Sequence, residues 1–212
     1  MWSQSNWEEL LMGREKTDFC GQVRRALKGL PDRSFQHESI GDAAVHIILS
    51  SLDVPTEILL TRRSLFVPTH KGEVAFPGGR KDFGDKDLLE TALRETHEEV
   101  GIPPEKCEVV GRMNDYLSIT GWKVTPFVSF LTERCQIQID PVEVDRAFWV
   151  PLEFFRENTP RVEKRLRLGR ASSVYCYYYE EEVIWGLTAR ILHDLFQGFL
   201  PRHSIMKTDE DI

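Results

Sequence analysis

The sequence lacks the features that would send it out of the cell or into a membrane. No apolar run approaches the about 20 residues a spanning helix needs. The opening residues, with Glu8 and Glu9, have neither the basic nor the apolar region of a secretory signal. Cysteine is scarce: Cys20, Cys107, Cys135 and Cys176 stand far apart, with no C-x-x-C pair and no histidines at zinc-site spacing. That argues against a disulfide framework or a structural zinc, and for reduced thiols. The C-terminus, Asp209 to Ile212, is not a peroxisomal tripeptide. The expected compartment is intracellular, cytoplasmic ahead of mitochondrial. Positive charge is also in deficit, with 27 Lys and Arg against 34 Asp and Glu and a net charge of -7. Broad binding to a nucleic-acid backbone needs the opposite balance, so an anionic substrate must be met locally, by metal or by a few cations. Internal repeats are absent.

The 212 residues, 41% hydrophobic and 29% charged, fit one self-sufficient soluble domain with terminal additions. The expected division is an N-terminal helical extension over 1–36, a catalytic domain over 37–198 and a disordered tail over 199–212. Phe19, Val23, Ala26, Leu27 and Leu30 recur at helical spacing, and Gly29 with Pro31 marks the stop. From Ala43 to Leu49 the pattern is that of a strand, and a turn with Asp53 and Pro55 leads into Glu57 to Arg62, which reads as a hairpin. Ser64 to Gly72 reads as a loop, Glu73 to Phe76 as a short strand, and Pro77-Gly78-Gly79 as a tight turn open to close backbone approach. Asp87 to Val100 is the clearest helix. Strands follow over Glu108 to Asp115, Trp122 to Leu131 and around Phe148 to Val150, then a helix over Leu187 to Phe196. The alternating aromatics of Tyr175 to Tyr179 read as packing across a sheet. The class is α/β (α+β), with a mixed sheet between helices.

On a helical wheel of Asp87 to Val100, Leu89, Ala92, Leu93, Thr96 and Val100 form the expected core stripe, while Glu95, Glu98 and Glu99 share another patch. Taken alone, E-x-x-E-E is most often a solvated face. Alternatively, a divalent cation relieves the mutual repulsion, and oxygen-only ligands favour Mg2+ or Mn2+ over zinc. Gly101, with Pro103 and Pro104 beyond it, is a fitting C-cap.

The glycine turn upstream decides between these. Gly79, then Arg94-Glu95-Thr96-His97-Glu98-Glu99-Val100-Gly101-Ile102, resembles the Nudix box, G-x5-E-x7-R-E-U-x-E-E-x-G-U with U apolar. Three departures stand out: the first acid falls at Asp85, one extra residue separates it from Arg94, and Thr96 takes an apolar position. Phe76 to Asp85 and Thr91-Ala92-Leu93-Arg94-Glu95 look like the coenzyme A diphosphatase branch, as do Leu59 to Ser64, Gly72 to Ala75, Thr125-Pro126-Phe127 and Trp185 to Ala189. Pro68 stands where that branch usually carries an arginine, with His70 and Lys71 nearby.

The resemblance implies a Nudix fold and a metal-dependent hydrolase that cuts a diphosphate linkage in a small nucleotide substrate. Coenzyme A or an acyl derivative comes first, giving 4'-phosphopantetheine and adenosine 3',5'-bisphosphate. Alternatives are ADP-ribose or a dinucleotide, and a Nudix module that binds nucleotide without turnover. The implied metal ligands are Glu95 and Glu99 with the Gly79 carbonyl, and Glu98 is a further ligand or the base. Arg94 orients a glutamate by an ion pair, or only balances charge on the helix face. Arg62, Arg63, Lys71 and Arg80 are the candidate phosphate contacts, beside Gly78. Asp82 and Asp85 are read first as acids capping the helix N-terminus. Glu143 and Asp145 resemble a downstream acidic site, although solvated loop acids are the commoner reading of such residues.

Overall fold

Two long strands rich in β-branched residues organise the chain. In the computed structural model, which describes residues 19–28, 39–50, 56–167 and 170–196, β1 (Gly41–Ser50) and β7 (Trp122–Leu131) run parallel from Gly41↔Trp122 to Leu49↔Phe130. Parallel central strands are covered on both faces, and Ile47, Ile48 and Leu49 are accordingly all buried. Around this pair the sheet runs β3 (Val74–Ala75), β2 (Glu57–Arg63), β1, β7, β5 (Cys107–Arg112). β4 (Gly78–Arg80) also pairs with β1, β6 (Tyr116–Leu117) with β7, and β8 (Val144–Pro151) with β2. A smaller antiparallel sheet holds β9 (Arg161–Arg167), β10 (Arg170–Tyr179) and β11 (Glu182–Trp185).

Helices cover both faces of the larger sheet. Ile47 and Leu49 pack with Val23 and Leu27 of α1 (residues 19–28), Phe155 of α3 (Leu152–Glu157) and Ala189 and Leu192 of α4 (Gly186–Asp194). Ile48, on the opposite face, packs with Val100 at the end of α2 (Leu88–Val100) and with Ile102. The expected mixed sheet between helices is therefore the architecture found. Tyr175, Tyr177 and Tyr179 meet His193, Phe155 and Phe154 at ring distances of 4.5, 5.2 and 5.0 Å, so these tyrosines pack, but against α4 and α3 and not across the strands of their own sheet. The four cysteines are free thiols. Among the described residues no helix is long and apolar enough to cross a membrane. The Asp53 to Pro55 turn, the stop at Gly29 to Pro31 and the 199–212 tail lie outside the described residues.

Several boundaries differ from expectation. The hairpin between β1 and β2 pairs only at Leu49↔Ile58 and Ser50↔Glu57, because β4 takes the same edge of β1 further on. β5 ends at Arg112, not Asp115, after a bulge between Val109 and Gly111. Helix α2 buries Thr91, Ala92, Thr96, Glu99 and Val100, while Leu89 and Leu93 of the expected stripe are only half-buried. Hydrogen bonds make this rotation tolerable: the Thr91 hydroxyl reaches Asp85 at 2.9 Å and the Thr96 hydroxyl donates to the Ala92 carbonyl at 2.7 Å.

Helix α2 is closed at both ends. Asp87 is its N-cap and accepts from the Glu90 amide at 2.9 Å. At its other end Gly101 takes φ 72°, and an added Cβ there would stand 2.9 Å from that of Gln138. Gly101→Ala is expected to cost about 1 to 2 kcal/mol, since an L-residue resists the left-handed conformation. Urea denaturation checks it, and an unchanged midpoint would contradict the assigned cap.

Candidate active site

Close backbone approach creates the site. β4 lies antiparallel on β1, with Ala44 opposite Gly79 and Val45 opposite Gly78. Gly78 has φ 149°, and a Cβ on it would overlap the Ala44 carbonyl oxygen. A Cβ on Gly79 would overlap the Glu95 carboxylate of α2. Glycine is thus needed twice in succession, first for the sheet and then for the acid lying over it.

Across this turn α2 presents Glu95 and Glu99. Glu99 is 2% exposed, accepts from the Gly78 amide at 3.3 Å and faces the Arg63 guanidinium at 3.5 Å. Glu143, just before β8, joins them, so that one carboxylate oxygen from each of Glu95, Glu99 and Glu143 lies within 4.8 Å of the others. Burial pushes Glu99 up to about 8, against the pull of Arg63. Burial also raises Glu95, opposed by Arg94. Carboxylates that resist ionising here, gathered without a nitrogen or sulfur donor, fit a hard divalent cation that would stabilise their charged forms. Glu98 is not in this trio. Its side chain is 57% exposed and pairs with Arg94 at 2.8 Å.

Arg94 is the hub of a second network. Its Nε and Nη2 donate to the two oxygens of Asp85 at 2.9 and 3.0 Å, and its Nη1 lies 3.0 Å from Glu95 as well as reaching Glu98. Asp85 is buried, accepts from the Asp82 amide and the Thr91 hydroxyl at 2.9 Å each, and is held by Arg94 well below the usual carboxylate range. The capping expectation for Asp82 and Asp85 therefore fails. Asp87 caps α2, and Asp85 anchors the arginine.

A cleft of about 1180 Å³ opens over these groups. Of the expected substrate contacts, Gly78, Arg63 and Arg80 line it, with the Arg80 guanidinium 4.4 Å from the Trp122 ring centroid. Arg62 and Lys71 are not among its lining residues. Arg62 is the neighbour of Arg63 on a strand and so points to the other face, where it pairs with Asp145 at 2.6 Å and Glu182 at 3.0 Å. Asp145 is therefore engaged outside the acidic trio. Pro68 and His70 do line the cleft, and His70 pairs with Glu73 at 2.9 Å. Trp122 went unremarked in the sequence, and its place beside a cation follows only from the Gly41↔Trp122 end of the β1–β7 ladder. His46 was missed too, although a lone histidine in the run Val45-His46-Ile47-Ile48 marks a buried polar group needing partners.

The family model for the NUDIX domain matches residues 41–169. A Nudix hydrolase NudL of Photorhabdus laumondii, described as uncharacterized, is 39% identical over 182 residues, covering 85% of this chain and 96% of that protein. The NudL of Pectobacterium atrosepticum, described likewise, is 38% identical over 72% of this chain and 80% of its own length. Among solved structures, a C. elegans Ap4A hydrolase superposes with a TM-score of 0.46 and 26% identity, over 52% of this chain and 80% of that one, which is too loose to carry a functional argument. The glycine turn, the glutamates of α2 and a domain match over the whole of the larger sheet converge: this chain belongs to the Nudix family, and it is a hydrolase of nucleotide diphosphate linkages.

Proposed function

We propose that the substrate is coenzyme A or an acyl-coenzyme A, hydrolysed at its diphosphate bridge to 4'-phosphopantetheine, or its acyl derivative, and adenosine 3',5'-bisphosphate. The supporting observation is the composition of the cleft. Acids and arginines line it beside Gly78 and Gly79, and so do the apolar side chains of Leu117, Ile119, Val162 and Leu187. A substrate with a polyanionic end and a long, weakly polar arm suits both kinds of side chain. The sequence features shared with the coenzyme A diphosphatase branch point the same way.

Glu95 and Glu99, with Glu143 and the Gly79 carbonyl, would hold Mg2+ or Mn2+. A bound ion neutralises phosphoryl charge and lowers the pKa of water. Arg63 and Arg80 bind phosphate oxygens through their guanidinium forks. Glu98, outside the trio and held by Arg94, takes the proton of the attacking water as the oxygen bonds to phosphorus and the bridging P–O bond breaks. Arg94 fixes the approach of Glu98 and Glu95 without touching the substrate.

Pro68 favours a second reading, a different nucleotide diphosphate such as ADP-ribose or a dinucleotide, because it offers no charge at a cleft position where the branch usually has arginine. Incubating the enzyme with coenzyme A, ADP-ribose and a dinucleotide, each with Mg2+, Mn2+ or EDTA, separates the two by chromatography. Adenosine 3',5'-bisphosphate is expected with either metal and not with EDTA. Faster cleavage of ADP-ribose, without that product from coenzyme A, would replace the proposal with the second reading.

A further inference from the structure

Polar side chains in a strand core must recover the hydrogen bonds they lose with water, and His46 does so completely. It is fully buried in β1, with Nδ1 2.9 Å from the Thr96 hydroxyl of α2 and Nε2 2.7 Å from the Ser129 hydroxyl of β7. The single hydroxyl proton of Thr96 goes to the Ala92 carbonyl at 2.7 Å. His46 Nδ1 must then carry a proton and donate to Thr96, which leaves Nε2 to accept from Ser129. The ring is neutral, with both nitrogens satisfied, and burial holds its pKa down at about 4.

The same residue fastens the other side of the acidic site. Its amide donates to the Pro77 carbonyl at 2.8 Å, immediately before Gly78 and Gly79. Thr96 directly follows Glu95 and lies three residues before Glu99. One residue therefore grips the glycine turn through its backbone and α2 through its ring. It also accounts for the hydroxyl at Thr96, where the Nudix box has an apolar side chain. Apolar packing fills space without direction, whereas hydrogen bonds of this length fix orientation.

We propose that His46 is a positioning residue which, through Thr96 and Ser129, sets the rotation of α2 so that Glu95 and Glu99 meet across Gly79. This rests on the metal reading of the site and not on the identity of the substrate. Binding of Mn2+ to metal-free protein, followed by the loss of the free-ion EPR signal, tests it without turnover. The His46→Leu, Thr96→Val, Ser129→Ala triple variant replaces the network with apolar groups. It should unfold cooperatively, bind Mn2+ about tenfold more weakly and lose kcat to a similar extent with KM unchanged. His46→Gln keeps one donor and one acceptor and should recover most of the affinity. Wild-type affinity and kcat in a folded triple variant would overturn the positioning role alone, whereas no Mn2+ binding by the wild type would overturn the metal reading and this proposal with it. Should the triple variant not fold, Ser129→Ala, which deletes one bond, replaces it: weakened Mn2+ binding supports the role, and unchanged binding overturns it.

Discussion

Glu99→Gln is expected to lower kcat by about three orders of magnitude at saturating Mg2+ while leaving the fold intact. The side chains are the same size, and a glutamine carbonyl can still accept from the Gly78 amide. The negative charge is what disappears, and with it a ligand for the cation. Arg63, 23% exposed, keeps access to water when its partner is neutralised. In EDTA the substitution should act on stability with the opposite sign. Glu99 ionises near 8 in the folded protein against an ordinary value of 4.5, so between those limits the folded state holds a proton that the unfolded chain has released. Stability present below pH 4.5 is thus lost as pH rises towards 8, at a limiting slope of about 1.4 kcal/mol per unit. Glutamine has no such titration, so metal-free Glu99→Gln should match the wild type near pH 4.5 and exceed it at pH 8. Saturating Mg2+ should reverse the order, because an ion that binds only the folded wild type stabilises it by mass action. Thermal melts of both proteins at the two pH values, with EDTA and with Mg2+, read each of these signs. Turnover like the wild type, or no added stabilisation of the wild type over the variant by saturating Mg2+, would remove Glu99 from the metal site, whereas equal melting temperatures in EDTA at pH 8 would contradict the raised ionisation of its carboxyl.

The parts of this site that the sequence disclosed are those set by local rules. Asp87 to Gly101 announced a helix through its periodicity and its stop, and Pro77-Gly78-Gly79 announced a turn, because caps and glycines act within a few residues. β1 and β7 were visible as β-branched runs. Glu143 was harder to weigh. Its carboxylate reaches Glu95 and Glu99 only because β8 pairs with β2, bringing Val144 opposite Arg63, while the Ser64 amide bonds the Glu143 carbonyl at 2.8 Å. No local pattern encodes a contact made across so many intervening residues. The orientation of α2 was misjudged for a different reason. A wheel ranks side chains by hydrophobicity and assigns Leu89 and Leu93 to the core with Thr96; Thr96 does enter it, its hydroxyl met by Ala92 and His46, but Thr91, met by Asp85, is buried in place of the two leucines. The division between Arg62 and Arg63 was available from strand alternation, once β2 was known to carry one into the cleft. β9 has no counterpart among the strands expected from the sequence: its Val162 and Leu166 are exposed, so no buried apolar face marks it.

Removing the guanidinium at the hub should do more damage to stability than any single surface charge in the chain. Arg94→Ala leaves Asp85, with a side chain only 4% exposed, buried without its counter-ion and without the two hydrogen bonds that occupied its oxygens. Deleting one member of a buried pair typically costs about 3 to 5 kcal/mol, and the partial exposure of Arg94, 25%, places this site near the lower end. A loss of about 3 kcal/mol is the expected result in urea. Arg94→Lys should recover little of it, because an ammonium cannot donate in parallel to both oxygens of Asp85 while also reaching Glu95 and Glu98. Asp85→Asn combined with Arg94→Ala should cost less than the sum of the single changes, since neutralising the acid removes the stranded charge that makes the arginine variant so unstable. Activity should fall as well, because the Nη1 that holds Glu95 and Glu98 is lost along with the anchor. Additive effects of Asp85→Asn and Arg94→Ala, or a lysine as stable as the arginine, would show that the network is ordinary surface pairing and that α2 keeps its acids in place without it.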